Sequence, residues 1–438
     1  MNWRDSHPGS ALATRGRQTF VKNVFSWLFT KKGGDDMAHD VLEHCFSDRK
    51  ALKHAAERKS MFPLFYFLIF FAFGALFPLL SLYLQEEARL AGTAIGWIMS
   101  LPPIVTMAAQ PLWGMAADYT RKPVGLLMMA LGLAALFGWL YSFADGYRAF
   151  VVLTVLLSAA QSAIVPLSDS IALEHVRTRG GNYGAIRLWG SLGFAAAVLL
   201  SGWLSERFGF AAIFYAFSAM LLAAAALAAR LPRSQAAPTG RLTRRAIGGL
   251  LSIRPFRLLL VAVFLLFGPI LANNSYFGLL IHELGGTLTG IGVAFLLAAG
   301  SEAPFMKAAD RLILRFGMAR LLLFAAFVSA ARWWLYVADP PLWLVYMTAV
   351  VQGCSVGLAI PTALQWARRL APEPVQATAV ALYSAVSNGL GAWFCTLVGG
   401  YLLERWGMGA VYSFFGVCTL AGAAVLLALR KREDQMGR

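Results

Sequence analysis

The stretch FPLFYFLIFFAFGALFPLLSLYL, residues 62–84, contains no charged side chain. A run of about 20 apolar residues crosses the hydrocarbon of a bilayer as a helix. This run is one of twelve. The first half of the chain continues with 94–116, 123–144, 149–172, 184–205 and 209–230. The second half holds 256–280, 288–308, 317–337, 342–366, 376–402 and 408–430. The period-2 alternation of membrane barrels is absent. Within hydrocarbon each segment must satisfy its own backbone hydrogen bonds, so helices are the spanning form. Composition agrees: 58% of residues are hydrophobic and only 14% charged, against about 25% charged in soluble domains.

The net charge of +16 raises the question of nucleic acid. Its distribution points instead to a lipid bilayer. Arg230–Arg257 carries seven arginines and no acid, and basic knots recur at 118–122, 177–179, 311–320, 368–369 and 430–432. The alternate knots hold Glu86, Asp145, Glu206, Glu283, Asp339 and Glu404. Basic loops stay cytoplasmic. The expected placement is multi-pass in the cytoplasmic membrane, with both termini inside.

Residues 1–60 read as a polar cytoplasmic extension or a start placed too early, with Met37 as an alternative start. The apolar stretch Phe20–Phe29 is too short to span and has no signal-peptide cleavage site. The expected units are then a bundle at 61–231, a basic linker at 232–254, a second bundle at 255–432 and a tail at 433–438. The four cysteines, Cys45, Cys354, Cys395 and Cys418, lack zinc spacing, and no disulfide is expected. No HExxH, GxSxG or P-loop sequence is present. The reading is of a non-enzyme without metal or cofactor, and of a chain not driven by ATP.

One phrase occurs twice. GWLSERFG at Gly202–Gly209 returns as GYLLERWG at Gly400–Gly407. Ile95-Gly96 is echoed by Ile291-Gly292, and PLWGMAAD (111–118) by PFMKAAD (304–310). Two parallel six-span halves are the sequence mark of a transporter that rocks about a midplane site.

At these residues the chain resembles the major facilitator superfamily, over about residues 60–432. Gly114-Met-Ala-Ala-Asp118-Tyr-Thr-Arg121-Lys122 is similar to the family's loop between spans two and three, without its usual glycine between Asp and the basic pair. Asp310-Arg311 begins the second-half copy. The resemblance implies an all-α membrane protein of twelve helices in two pseudo-symmetric bundles, acting as a monomer. It also implies a conformational latch at Gly114, Asp118, Arg121, Lys122, Asp310 and Arg311. A solvated turn is the plainer alternative. PLSDSIALEH followed by YGAIRLWGSLGF (183–194) is similar to the phenylpropionate-permease and lactose-permease branches.

A charge at mid-bilayer costs about 2.5–3.5 kcal/mol on the insertion scale and generally faces a cavity or a partner. Four such residues stand out: Asp169, Arg187, Glu302 and Arg332. They form one acid and one base per half, on consecutive spans. Asp169 precedes Arg187 by 18 residues, and the resemblance implies solute-binding roles for both, with snorkelling of Arg187 as the alternative. Ser191 and Phe194 follow on the same helix face. The resemblance makes Phe194 a stacking residue, where the family carries Trp. For Glu302 and Arg332 it implies substrate binding by the acid and proton handling by the arginine, with a structural buried pair as the alternative; a coupled proton would be carried by Glu302 or Asp169. Gln352 and Ser355 stand where the branch has its span-ten proton site, and Asn273-Asn274 stand in place of a span-seven acid. Gln161, Gln352, Asn273, Asn274 and Asn388 read as uncharged solute ligands or as helix bridges.

The function expected is secondary transport, by proton symport, of a small organic solute such as an aromatic acid, sugar or nucleoside. Its partners are that solute, protons and the bilayer, with no nucleic acid. Efflux of a drug or metabolite is the alternative within transport. A non-transporting scaffold or receptor is the alternative outside it.

Overall fold

The computed structural model describes residues 35–232 and 244–436, with side chains for 61–232 and 247–430. Phe20–Phe29 and residues 233–243 of the basic linker lie outside the described residues. The chain divides into two units, Met1–Ser60 and Met61–Arg438. The described residues of the larger unit form helices joined by short turns, and no strand occurs among them.

Its helices are α1 Met61–Glu86, α2 Gly92–Thr120, α3 Pro123–Tyr141, α4 Tyr147–Arg179 and α5 Tyr183–Phe208. A shorter α6, Ala212–Ala228, follows. The second half holds α7 Arg254–Glu283, α8 Leu288–Phe316, α9 Met318–Val337 and α10 Leu342–Leu370. The stretch Glu373–Arg430 turns at Gly407, whose φ is 76°, and so comprises α11 (376–406) and α12 (408–430). The twelve apolar runs of the sequence fall on these twelve helices. Local signals set their ends. Asn182 Oδ1 caps α5 by accepting from Gly184 N at 2.8 Å, and Thr287 Oγ1 caps α8 by accepting from Gly290 N at 3.0 Å.

The two halves pack alike. In the first, α3 lies on α6 and α2 on α4; in the second, α9 lies on α12 and α8 on α10. Lipid is as apolar as leucine, so association relies on close packing and on interhelical hydrogen bonds. Tyr141 OH meets Thr154 Oγ1 at 2.9 Å, and Trp333 Nε1 donates to Thr419 Oγ1 at 3.1 Å.

Between the halves, α2 meets α11 and α5 meets α8. These approaches run backbone on backbone. A Cβ on Gly96 would stand 2.6 Å from Gly400 Cα, and one on Gly292 would stand 2.6 Å from the Val198 carbonyl. Both lie toward the end that carries the short turns, where His282 Nδ1 of α7 is also 3.8 Å from Glu86 of α1. Toward the basic-turn end the same helix faces are bare. Continuing the α5 face from Gly202 and Val198 leads to Leu192 and Leu188, both exposed. Continuing the α2 face from Gly96 through Met107, whose sulfur meets Gly389, leads to exposed Gln110 and Pro111. The bundles thus converge at a narrow end and part toward a wide, basic end.

The four intramembrane charges do not pair with one another. Among the described residues, no ion pair joins Asp169 to Arg187 or Glu302 to Arg332. The physical reason is the packing order: α8 lies on α10 rather than on α9, and α4 has little contact with α5. Helices consecutive in sequence are not the principal neighbours in space.

Candidate functional site

An open cleft of about 390 Å³ lies among α1, α2 and α4. Phe73 and Phe77 of α1 form one wall, and Thr106 and Gln110 of α2 another. Ser158, Gln161 and Ser162 of α4 form the third, and no ionisable side chain lines the cleft. Its volume lies within the ~300–1,000 Å³ range of small-molecule sites.

The α4 wall owes its chemistry to a break in the helix. Pro166 has no N–H to give to the carbonyl of Ser162. The regular helix stops at Gln161 and resumes at Ile164. Trp113 Nε1 of α2 donates to Ala159 O at 2.8 Å, which ties the break to its neighbour. Gln161 Nε2 is buried and has no hydrogen-bond partner. An orphan donor of this kind costs about 1–3 kcal/mol. Broken helices with free polar groups at mid-membrane are where transporters of this architecture hold solute.

Roughly two turns further along α4, toward the wide end, lies Asp169. Its Oδ1 accepts from Tyr66 OH at 2.6 Å. Arg187 places its guanidinium carbon 3.9 Å above the Phe70 ring. Asp169 and Arg187 are therefore each held by α1. Tyr66, Phe70, Phe73 and Phe77 form one face of that helix, at spacings of four, three and four. This stripe supplies both the cleft wall and the partners of the charges. It was not singled out in the sequence, although its helical spacing among apolar neighbours was the available signal. Ser191 is exposed on α5, and Phe194 packs its backbone against Gly74, where a Cβ would stand 2.6 Å from the Phe194 carbonyl.

In the second bundle, Arg332 is 3% exposed. Its Nη2 donates to Gln352 Oε1 at 2.8 Å and to Tyr336 OH at 3.0 Å. Tyr336 OH in turn meets Thr348 Oγ1 at 2.8 Å. Asn273 Oδ1 accepts from Tyr412 OH at 3.0 Å inside the bundle, whereas Asn274 is exposed. Gln352 and Asn273 thus bridge helices. Glu302 is half-buried on α8, and its backbone abuts Gly353 and Gly357 of α10. Its side chain has no hydrogen-bond or ion-pair partner among the described residues.

At the wide end, Gly114 is half-buried, and Asp118, Arg121 and Lys122 are exposed around the end of α2. Arg121 takes the left-handed conformation, φ 53°, and its N–H closes the helix on Ala117 O at 3.0 Å. It occupies the backbone conformation that the absent glycine would favour. Asp310 Oδ1 accepts from Gln365 Nε2 of α10 at 2.7 Å, and Arg311 is exposed.

Twelve spans, two bundles of like packing and a cleft beside a broken helix define a multi-pass membrane transporter. The chain belongs to the MFS_1 like family, whose model matches residues 60–415. It is 79% identical over 383 residues to a maltose permease of Geobacillus stearothermophilus, covering 87% of this chain and 97% of that one. It is 40% identical over 370 residues to an uncharacterized transporter of Bacillus subtilis, covering 84% and 92%. The solved structure of the nucleoside transporter NupG shares the fold, with a TM-score of 0.75 over 85% of this chain and 98% of that one, at 16% identity.

Proposed function

We propose that this transporter carries a neutral polyhydroxylated solute of disaccharide size, maltose foremost, by alternating access between its two bundles. The observation that carries the reading is the cleft lining: two amides and three hydroxyls for a sugar's hydroxyl groups, aromatic faces for its C–H faces, and no ionisable group. The 79% identity to a protein named maltose permease supports the same class. An aromatic acid would find no cation in this lining. The basic-turn end is cytoplasmic by the positive-inside rule, so the conformation is inward-open. Proton coupling is assigned to Glu302. It is a half-buried intramembrane carboxylate whose side chain has no hydrogen-bond or ion-pair partner among the described residues.

Uptake of labelled maltose into proteoliposomes under an imposed proton gradient tests this. Saturable accumulation is expected, with unlabelled maltose competing and phenylpropionate and nucleosides failing to compete. Gln161→Leu should raise KM by about 2- to 12-fold through the loss of one hydrogen bond. Glu302→Gln should keep maltose exchange and lose gradient-driven accumulation. Saturable uptake of a nucleoside or an aromatic acid without maltose uptake would overturn the assignment.

A further inference from the structure

We propose that Glu206 and Glu404 are paired gate carboxylates, each closing the narrow end by capping a helix of the opposite bundle. Glu206, on α5, accepts from the Thr289 backbone N–H of α8 on Oε1 and from the Thr289 hydroxyl on Oε2, both at 2.8 Å. Glu404, on α11, accepts from the Thr93 backbone N–H of α2 on Oε2 at 2.9 Å. Thr289 and Thr93 are the second residues of α8 and α2. First-turn N–H groups have no partner within their own helix, and a helix N-terminus favours negative charge. Each carboxylate supplies from one bundle what a helix of the other lacks.

The repeated phrase of the sequence is the device itself. Its first glycine, Gly202 or Gly400, stands one turn before the glutamate on the same face. There it lets the facing backbone approach: a Cβ on Gly202 would stand 2.5 Å from the Leu288 carbonyl, and one on Gly400 would stand 2.5 Å from Gly96 Cα. The glutamate then reaches the helix start just beyond. The last glycine, Gly209 or Gly407, turns the chain back with φ 85° or 76°. Both glutamates are exposed, so the bundle cores do not depend on them. Both caps span the two bundles, and opening the narrow end breaks both. A contact made in only one of two states biases the equilibrium between them.

The inference rests on the reading of the chain as a rocking carrier, and its test needs no solute. Nitroxides at exposed Arg148 and Trp343, on opposite bundles near the narrow end, report gate opening by pulsed electron resonance. The sample is the full chain in nanodiscs with its four native cysteines replaced. Glu206→Ala and Glu404→Ala should each raise the open-to-closed ratio by about 2- to 30-fold, the range for a lost helix cap. The double variant should multiply the two effects, and Gln at either site should restore part of the closed population. A double alanine variant that melts normally and keeps the parent distance distribution overturns the proposal, whatever its transport activity. Failure of the maltose assignment alone would leave these distances unchanged.

Discussion

Arg332 of α9 donates from Nη2 to Gln352 Oε1 of α10 at 2.8 Å, so the buried guanidinium of the second bundle is held by an amide and not by an acid. Tyr336 supplies a second acceptor, and Trp333 lies with its ring 5.1 Å from the guanidinium carbon. Gln352→Leu removes one of two acceptors from a cation that is almost wholly buried. It should destabilise the protein by about 1–3 kcal/mol, read as a lower Tm in detergent. Gln352→Glu keeps the acceptor and turns the already charge-assisted bond into an ion pair, so its Tm should stay at or above that of the parent.

The Gly96–Gly400 approach admits no side chain, since a Cβ on either would stand within 2.6 Å of the other's Cα. Gly96→Val should therefore keep the narrow end from closing while leaving each bundle intact. Transport should fall below detection. A cysteine placed on the cleft wall at Thr106 should gain reactivity toward an impermeant maleimide added from the narrow end. Wild-type transport in Gly96→Val would show that this contact does not gate the carrier.

Arg121 holds a left-handed backbone at the end of α2. An L-residue with a Cβ pays about 1–2 kcal/mol there, and glycine does not. Glycine also costs roughly 0.5–1 kcal/mol in unfolded-chain entropy. The net expectation for Arg121→Gly is a Tm equal to or slightly above the parent's, and Arg121→Val should lower it. Thermal unfolding of both variants in the same detergent reads the difference.

Much of the architecture was legible because bilayer physics leaves few options. An uncharged run such as residues 62–84 can only be a spanning helix, and twelve such runs with a repeated phrase give two halves. The charged residues were also found, since Asp169, Arg187, Glu302 and Arg332 stand out against apolar surroundings. Their partners were not legible. Adjacency in sequence does not bring Glu302 to Arg332, because α8 packs on α10 and α9 faces α10 and α12. Asp169 and Arg187 meet Tyr66 and Phe70 of α1, from about 100 residues upstream. The cleft wall of Phe73 and Phe77 was hidden among the many aromatics of a membrane chain, where a phenylalanine facing lipid reads the same as one facing solute.

The sequence by itself determined that the chain crosses a bilayer, how many times, and that its second half repeats its first. Those properties follow from transfer free energies and helix geometry, which act on local runs of residues. Only the tertiary structure decided which polar groups meet: Tyr66 with Asp169, Gln352 with Arg332, Glu206 with Thr289 and Glu404 with Thr93. A hydrogen bond depends on ångström-scale placement across helices far apart in the chain. That placement is set by how all twelve helices pack together, and no single segment carries it.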